Sequence, residues 1–171
     1  DFADLRARLP GVPTLEEVIT QFGENTHLML EVKEFSGDLL PQQREALRQC
    51  LASLEPGRDF HILSLDVERF TLAEFLPVNA CLPVAETNVK SMSKTALEQG
   101  YCGLSGHYLL LTDHLRQRHA DAGQIIATGF PRSRNCLYRE LNRGIEWIFS
   151  NDAVYLQRLL DTARSSSERC D

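Results

Sequence analysis

Glu31 and Lys33 stand two residues apart at the end of the apolar run Leu28-Met-Leu-Glu-Val-Lys33. Side chains at i and i+2 of a strand share a face. A carboxylate and an ammonium therefore lie side by side, with Val32 turned outward among the helices. On the inner face of a barrel such charges must be paired or bound to something. A carboxylate can ligate Mg²⁺ or Ca²⁺, and an ammonium can hold a phosphate oxygen. A structural ion pair between the two is the competing reading of the same spacing.

Other polar residues close further apolar runs: Asp66, Glu86, Ser105 with His107, Thr128, and Ser150 with Asn151. Three carboxylates and a lysine on one rim would suit a hard divalent cation and a phosphate. Polar residues also occur at such places simply because strands stop there. Of the five histidines, His107 falls at a run's end, where a ligand would sit. His27 precedes a run, His61 lies inside one and reads as a hydrogen-bonded core residue, and His114 and His119 read as surface residues of a helix. The cysteines Cys50, Cys81, Cys102, Cys136 and Cys170 are dispersed without a CxxC pair. That pattern suits neither a disulfide framework nor a zinc site. Cys50, Cys81 and Cys102 sit in apolar stretches and read as small core residues.

These residues need elements to position them, and the chain shows a repeated grammar. Helical stretches end in glycine, and short apolar runs follow: Gly23 before HLMLEVK, Gly57 before FHILSLD, Gly100 before YCGLS, Gly123 before QIIATGF, Gly144 before IEWIFS. Glycine takes the left-handed conformation past a helix end at little cost. The run ACLPVAE differs, being entered through Pro77 and Asn79. Thr14 with Glu17 forms a capping box behind Pro13, and Pro41 opens a helix through Glu55 with an apolar face of Leu47, Cys50, Leu51 and Leu54. Thr112, Ser133 and Asp152 are candidate caps, the last for a helix through Leu160. Strands are expected at 28–33, 60–66, 80–86, 101–105, 124–130 and 145–150, with a helix between each pair. Such alternation means an α/β fold of parallel strands. An open doubly wound sheet and a closed β/α barrel share this grammar, and periodicity leaves the choice open. No glycine-rich phosphate loop follows the first strands, which counts against a nucleotide-binding version.

The 171 residues are 43% hydrophobic and 25% charged, ordinary for a globular chain with a sizeable core. No linker interrupts residues 1–164, read as one domain, and 165–171 forms a polar tail expected to fray. The formal net charge is −6, and a nucleic-acid binder needs a basic footprint. The nearest cluster, Arg132, Arg134, Arg139 and Arg143, is short, interrupted and reads as a solvated helix face. No apolar run is long enough to form a transmembrane segment. The chain opens at Asp1 without methionine, so the lack of a leader decides nothing. The compartment is open, with a cytoplasmic location favoured over secretion.

Taken in order, several segments resemble the glycerophosphodiester phosphodiesterase family. Val12-Pro-Thr-Leu-Glu-Glu-Val18 is similar to the family's IPTLEEV segment, and Leu28–Lys33 to its NIEIK strand. Phe60-His-Ile-Leu-Ser-Leu-Asp66 is similar to its SFD strand, and Gly144-Ile-Glu-Trp-Ile-Phe-Ser-Asn151 to its closing strand. The resemblance spans about residues 11–160 and implies a parallel β/α (TIM-type) barrel with six of its eight strand–helix units present. The implied activity is metal-dependent hydrolysis of a glycerophosphodiester to glycerol 3-phosphate and an alcohol, a step of phospholipid headgroup metabolism. The implied cofactor is a divalent metal, Mg²⁺ or Ca²⁺, with Glu31 as a metal ligand and Lys33 as the substrate-binding lysine beside the phosphate. The family's HRG, E-x-D and HD motifs, which carry the acid–base histidines and two metal carboxylates, do not occur in these residues. They belong to the first two units, expected to be missing, so the chain is not expected to catalyse the reaction alone. The family's WTVN run corresponds to Gly129-Phe-Pro-Arg132, and its closing TD to Ser150-Asn151, which leaves the substrate's alcohol group open. The alternative is a non-catalytic phosphate-binding or scaffolding barrel of the same descent. An unrelated barrel enzyme acting on a phosphorylated sugar is a third reading. Open strand edges would also invite self-association.

Overall fold

The computed structural model describes residues 2–167. They form two compact units, one ending at Cys81 and the other beginning at Leu82.

The first unit contains α1 (Phe2–Arg8), α2 (Leu15–Phe22), β1 (Leu28–Glu31), α3 (Leu40–Cys50) and β2 (Phe60–Ser64). Thr14 caps α2 by accepting from the Glu17 amide, and the Glu17 carboxylate accepts in turn from the Thr14 amide at 2.8 Å. β1 and β2 pair in parallel, Leu28 opposite Phe60 and Glu31 opposite Leu63. β2 is buried along its whole length. Phe60 and Ile62 have no exposed surface, and each such side chain contributes roughly 2–3 kcal/mol through burial. Leu51 is 3% exposed, while Leu47, Cys50 and Leu54 are half-buried, so the expected apolar face of α3 exists. The helix itself stops at Cys50 rather than Glu55, because Asp59 captures the Glu55 amide at 2.8 Å and Pro56 follows.

The second unit continues with β3 (Cys81–Ala85), α4 (Val89–Gln99), β4 (Gly103–His107), α5 (Asp113–Asp121), β5 (Ile125–Gly129), α6 (Arg134–Asn142), β6 (Trp147–Phe149) and α7 (Ala153–Ser167). All its ladders are parallel: Val84 faces Ser105, Ser105 faces Ala127, and Ala127 faces Trp147. Thr112 and Ser133 cap α5 and α6 as expected. The last helix runs past Leu160 to Ser167, and residues 168–171 of the expected tail lie outside the described residues.

Three other expectations are corrected. The segment between β2 and β3 holds two stretches of 3-10 helix, Val67–Ala73 and Val78–Ala80, instead of an α-helix. Asp66 turns the chain by accepting from the Glu68 amide at 3.0 Å, and Pro77 stops regular helix. Gly57, Gly100, Gly123 and Gly144 do take positive φ of 71–80°, but Gly23 has φ −60°. Its requirement is space, since a Cβ there would meet the Ile19 carbonyl oxygen at 2.7 Å. His119, expected at the surface, is fully buried. The Gln124 amide nitrogen donates to the carbonyls of Ala96 and Tyr101, which leaves its oxygen to accept from His119 Nδ1 at 2.7 Å. His119 Nε2 then accepts the Ser93 hydroxyl at 2.8 Å. One polar network thus joins α4 and α5.

A second buried network surrounds Glu140, which has no exposed surface. Arg143 Nη1 donates to both carboxylate oxygens, at 2.9 and 3.1 Å, and Arg139 Nε donates to one at 2.9 Å. Arg143 also donates to Asp113 at 2.6 Å and to the Leu111 carbonyl. With Arg132 bound to Asp152 and Arg134 over the Tyr138 ring, the four arginines are engaged within the fold.

Two stability outcomes follow. Glu140→Leu leaves two guanidinium groups without their buried partner, at a cost of about 3–5 kcal/mol; a denaturation midpoint within error of wild type would refute this. In the first unit, His27 donates from Nδ1 to the Arg58 carbonyl at 2.7 Å, and His61, 4% exposed, donates from Nδ1 to His27 Nε2 at 2.8 Å. Burial, with the neighbouring His27, pushes the His61 pKa down to about 4, and burial also lowers that of His119. The unfolded chain therefore binds protons that the native chain does not between about pH 6.5 and 4. Stability is full above that window and falls on acidification through it, by up to about 3 kcal/mol for His61. Melting curves from neutral to acid pH should slope less for His61→Gln; parallel slopes would exclude the histidine.

Candidate functional site

β1 ends at Glu31, and Val32 and Lys33 follow directly. Lys33 Nζ donates to Glu31 Oε1 at 2.7 Å, so the two side chains do share a face. The pair is open to solvent, with Lys33 72% and Glu31 36% exposed. An exposed pair of this kind contributes between about 0 and 1 kcal/mol, so the fold has little need of it. Val32 is half-buried, its amide held by the Leu63 carbonyl at 2.8 Å. A cavity of about 300 Å³ opens beside the pair, walled by Leu15, Leu30, Leu47, Ile62 and Leu72, with Glu31, Lys33 and Glu34 at its polar part.

The remaining strand-end residues fall into other roles. Asp66 accepts from the Glu68 amide and lies 3.7 Å from Arg69. Glu86 is exposed, its amide donating to Asn88 Oδ1. Ser105 and Thr128 are buried in their strands, and the Thr128 hydroxyl has no hydrogen-bond partner among the described residues. Ser150 donates to the Pro131 carbonyl at 2.6 Å and accepts from the Asp152 amide, forming a turn ahead of α7. Among the described residues no three His, Cys, Asp or Glu side chains gather as a metal cage. Glu31 fits one ligand position of a hard divalent cation, which needs six or more oxygens.

His107, at the end of β4, stacks on Tyr108 at 4.8 Å and on Phe130 at 5.5 Å between ring centroids. Phe130, just beyond β5, has φ +71° and is 54% exposed. A left-handed aromatic residue costs about 1–3 kcal/mol, and such strain gathers at functional positions. Arg139 lies over the Tyr108 ring at 4.8 Å. Cys136 donates to the Tyr108 hydroxyl at 3.6 Å, and its hydrogen bonds with Ser133 and Tyr108 lower its thiol pKa. Burial instead pushes Cys102 up to about 11. Reading from sequence found His107 but missed Phe130. Its one local signal is Pro131, because proline bars the preceding residue from the right-handed helical region.

No protein-family model and no curated protein matches the chain. Solved structures do. A glycerophosphodiester phosphodiesterase from Parabacteroides distasonis is 16% identical, with a TM-score of 0.67 over 89% of this chain and 65% of its own. An Agrobacterium tumefaciens protein described as a glycerophosphoryl diester phosphodiesterase is 13% identical, with a TM-score of 0.70 over 90% and 65%. A phosphodiesterase from Oleispira antarctica, solved with the product sn-glycerol-3-phosphate, is 20% identical, with a TM-score of 0.65 over 87% and 61%. The chain spans about 55–65% of the length of such structures. At these identities the likeness is one of fold: consecutive parallel strands with helical return segments, as in the parallel β/α barrel that glycerophosphodiester phosphodiesterases use.

Proposed function

We propose that the chain is part of a metal-dependent phosphoric diester hydrolase acting on glycerophosphodiesters. The observation that carries this is the Glu31–Lys33 pair, held at 2.7 Å at the exposed end of a parallel strand beside a cavity. The shared fold supports it, as does the glycerol 3-phosphate held by one neighbour. In this reading Glu31 ligates a divalent cation, and Lys33 leaves the carboxylate to hold a phosphate oxygen. The metal, when bound, polarises the phosphoryl oxygens. Lys33, 72% exposed, has room to swing between the two partners. Proton transfer needs a further acid and base, and no histidine borders the cavity.

That last observation, with the lack of a three-residue cage among the described residues, favours a second reading: a barrel that binds a phosphate and does no chemistry. Both readings use the same two side chains. Calorimetry with Mg²⁺, Ca²⁺ and glycerol 3-phosphate tests those side chains, and assay of glycerophosphocholine hydrolysis by the full-length protein separates the readings. Glu31→Gln should weaken metal binding at least tenfold, roughly one charge-assisted contact. Lys33→Met should weaken glycerol 3-phosphate binding by a similar factor while sparing the metal. Release of glycerol 3-phosphate favours the hydrolase; binding without release favours the non-catalytic barrel. Variants that bind like wild type remove both residues from the site.

A further inference from the structure

The second unit contains a groove of about 730 Å³ between the start of α4 and the first turns of α5. Lys90, His114 and Arg118 line it, with the hydroxyl residues Thr87, Ser91 and Thr112, and among the described residues no carboxylate does. This is unusual in a chain with 24 acidic and 18 basic residues. Elsewhere in the unit the arginines and lysines tend to be occupied. Arg132 is bound to Asp152, Arg139 and Arg143 to Glu140, and Lys94 lies 3.7 Å from Glu98. Lys90, His114 and Arg118 have no ion-pair or hydrogen-bond partner among the described residues, and all three are exposed. Like charges placed together without counter-charges repel one another, and the fold gains nothing from assembling them.

The backbone adds to the same field. α4 has eleven residues, and its cap residue Asn88 makes no side-chain bond to it. The Asn88 side chain turns back instead and accepts from the Glu86 amide at 3.0 Å. The first amides of α4 therefore present the positive end of the helix to the groove without a side-chain acceptor. Leu110, Leu115 and Val89 give part of the wall an apolar character.

We propose that this groove binds a phosphorylated small molecule, its phosphate between Lys90, Arg118 and the start of α4 and its organic part against the leucines. Phosphate suits Lys90 and Arg118 because it offers several charged oxygens at once. The groove is larger than inorganic phosphate needs, which is why an organic substituent belongs to the ligand. The site lies wholly in the second unit, whereas Glu31 and Lys33 lie in the first, so it does not depend on the proposed hydrolase reading.

Titration of the chain with inorganic phosphate and with phenyl phosphate, followed by amide NMR, tests this. The amides of Val89, Lys90 and Ser91 and the His114 ring should shift and saturate, with phenyl phosphate binding more tightly. Lys90→Ala combined with Arg118→Ala should weaken both probes by at least tenfold, the scale of one lost charge-assisted bond. Lys94→Ala, on the same helix but paired to Glu98, should leave the affinities unchanged. No shift at those amides, or equal binding by the double variant, overturns the proposal. Sedimentation with phosphatidylcholine vesicles containing phosphatidic acid identifies the source. Capture that requires Lys90 and Arg118, together with the amide shifts, assigns a lipid headgroup; shifts without capture assign a soluble ligand. Capture without shifts from the free phosphates overturns the site in favour of diffuse charge attraction.

Discussion

Parallel pairing imposes one demand that recurs through both units: the chain must return to the starting end of the sheet after every strand. The return segments take different forms, with α3 between β1 and β2 but 3-10 turns between β2 and β3. The turns that end them use left-handed glycines at Gly57, Gly100, Gly123 and Gly144. Within each unit the same demand collects the far ends of neighbouring strands on one edge. Polar residues accumulate there because the strand's hydrogen bonding is finished and the side chains are free to meet solvent or ligand. Glu31, Lys33 and His107 all owe their positions to it.

What holds the return helices against the strands is partly apolar and partly polar. The apolar part is conventional, with β2 fully buried. The polar part is concentrated in two closed networks of the second unit, around His119 and around Glu140. Each joins successive helices through a group that would be costly to bury alone. Such networks permit few arrangements, since every donor and acceptor must be met at once. They fix the start of α5 in particular, where Asp113 and the Leu111 carbonyl both bind Arg143.

Local rules carried much of this in the sequence. The capping box at Thr14 and Glu17, the caps Thr112 and Ser133, the six strands and the four left-handed glycines were legible because each depends on neighbours within a few residues. The pairing of Glu31 with Lys33 was legible for the same reason, through the two-residue repeat of a strand. The misses required information from elsewhere in the chain. His119 looks like any polar residue of a charged helix until Gln124 and Ser93 are brought to its two nitrogens. Glu140 looks like a surface acid until Arg139 and Arg143 close over it. Gly23 fitted the helix-end pattern, but its reason is the crowding beside Ile19 and Leu54. The strain at Phe130 depends on the chain path after β5, which no residue type announces beyond the proline that follows.

The missing α-helix between β2 and β3 bears on how the molecule breathes. A 3-10 turn closes shorter loops with poorer hydrogen-bond geometry than an α-helix, and in this segment Phe70 and Ala73 are the buried side chains of the first stretch. Arg44 ties it to α3 by donating to the Thr71 carbonyl at 2.9 Å and by pairing with Glu74. The amides of this segment should exchange with solvent while β2, wholly buried, stays protected, so opening of the first unit begins at this edge and need not involve its core.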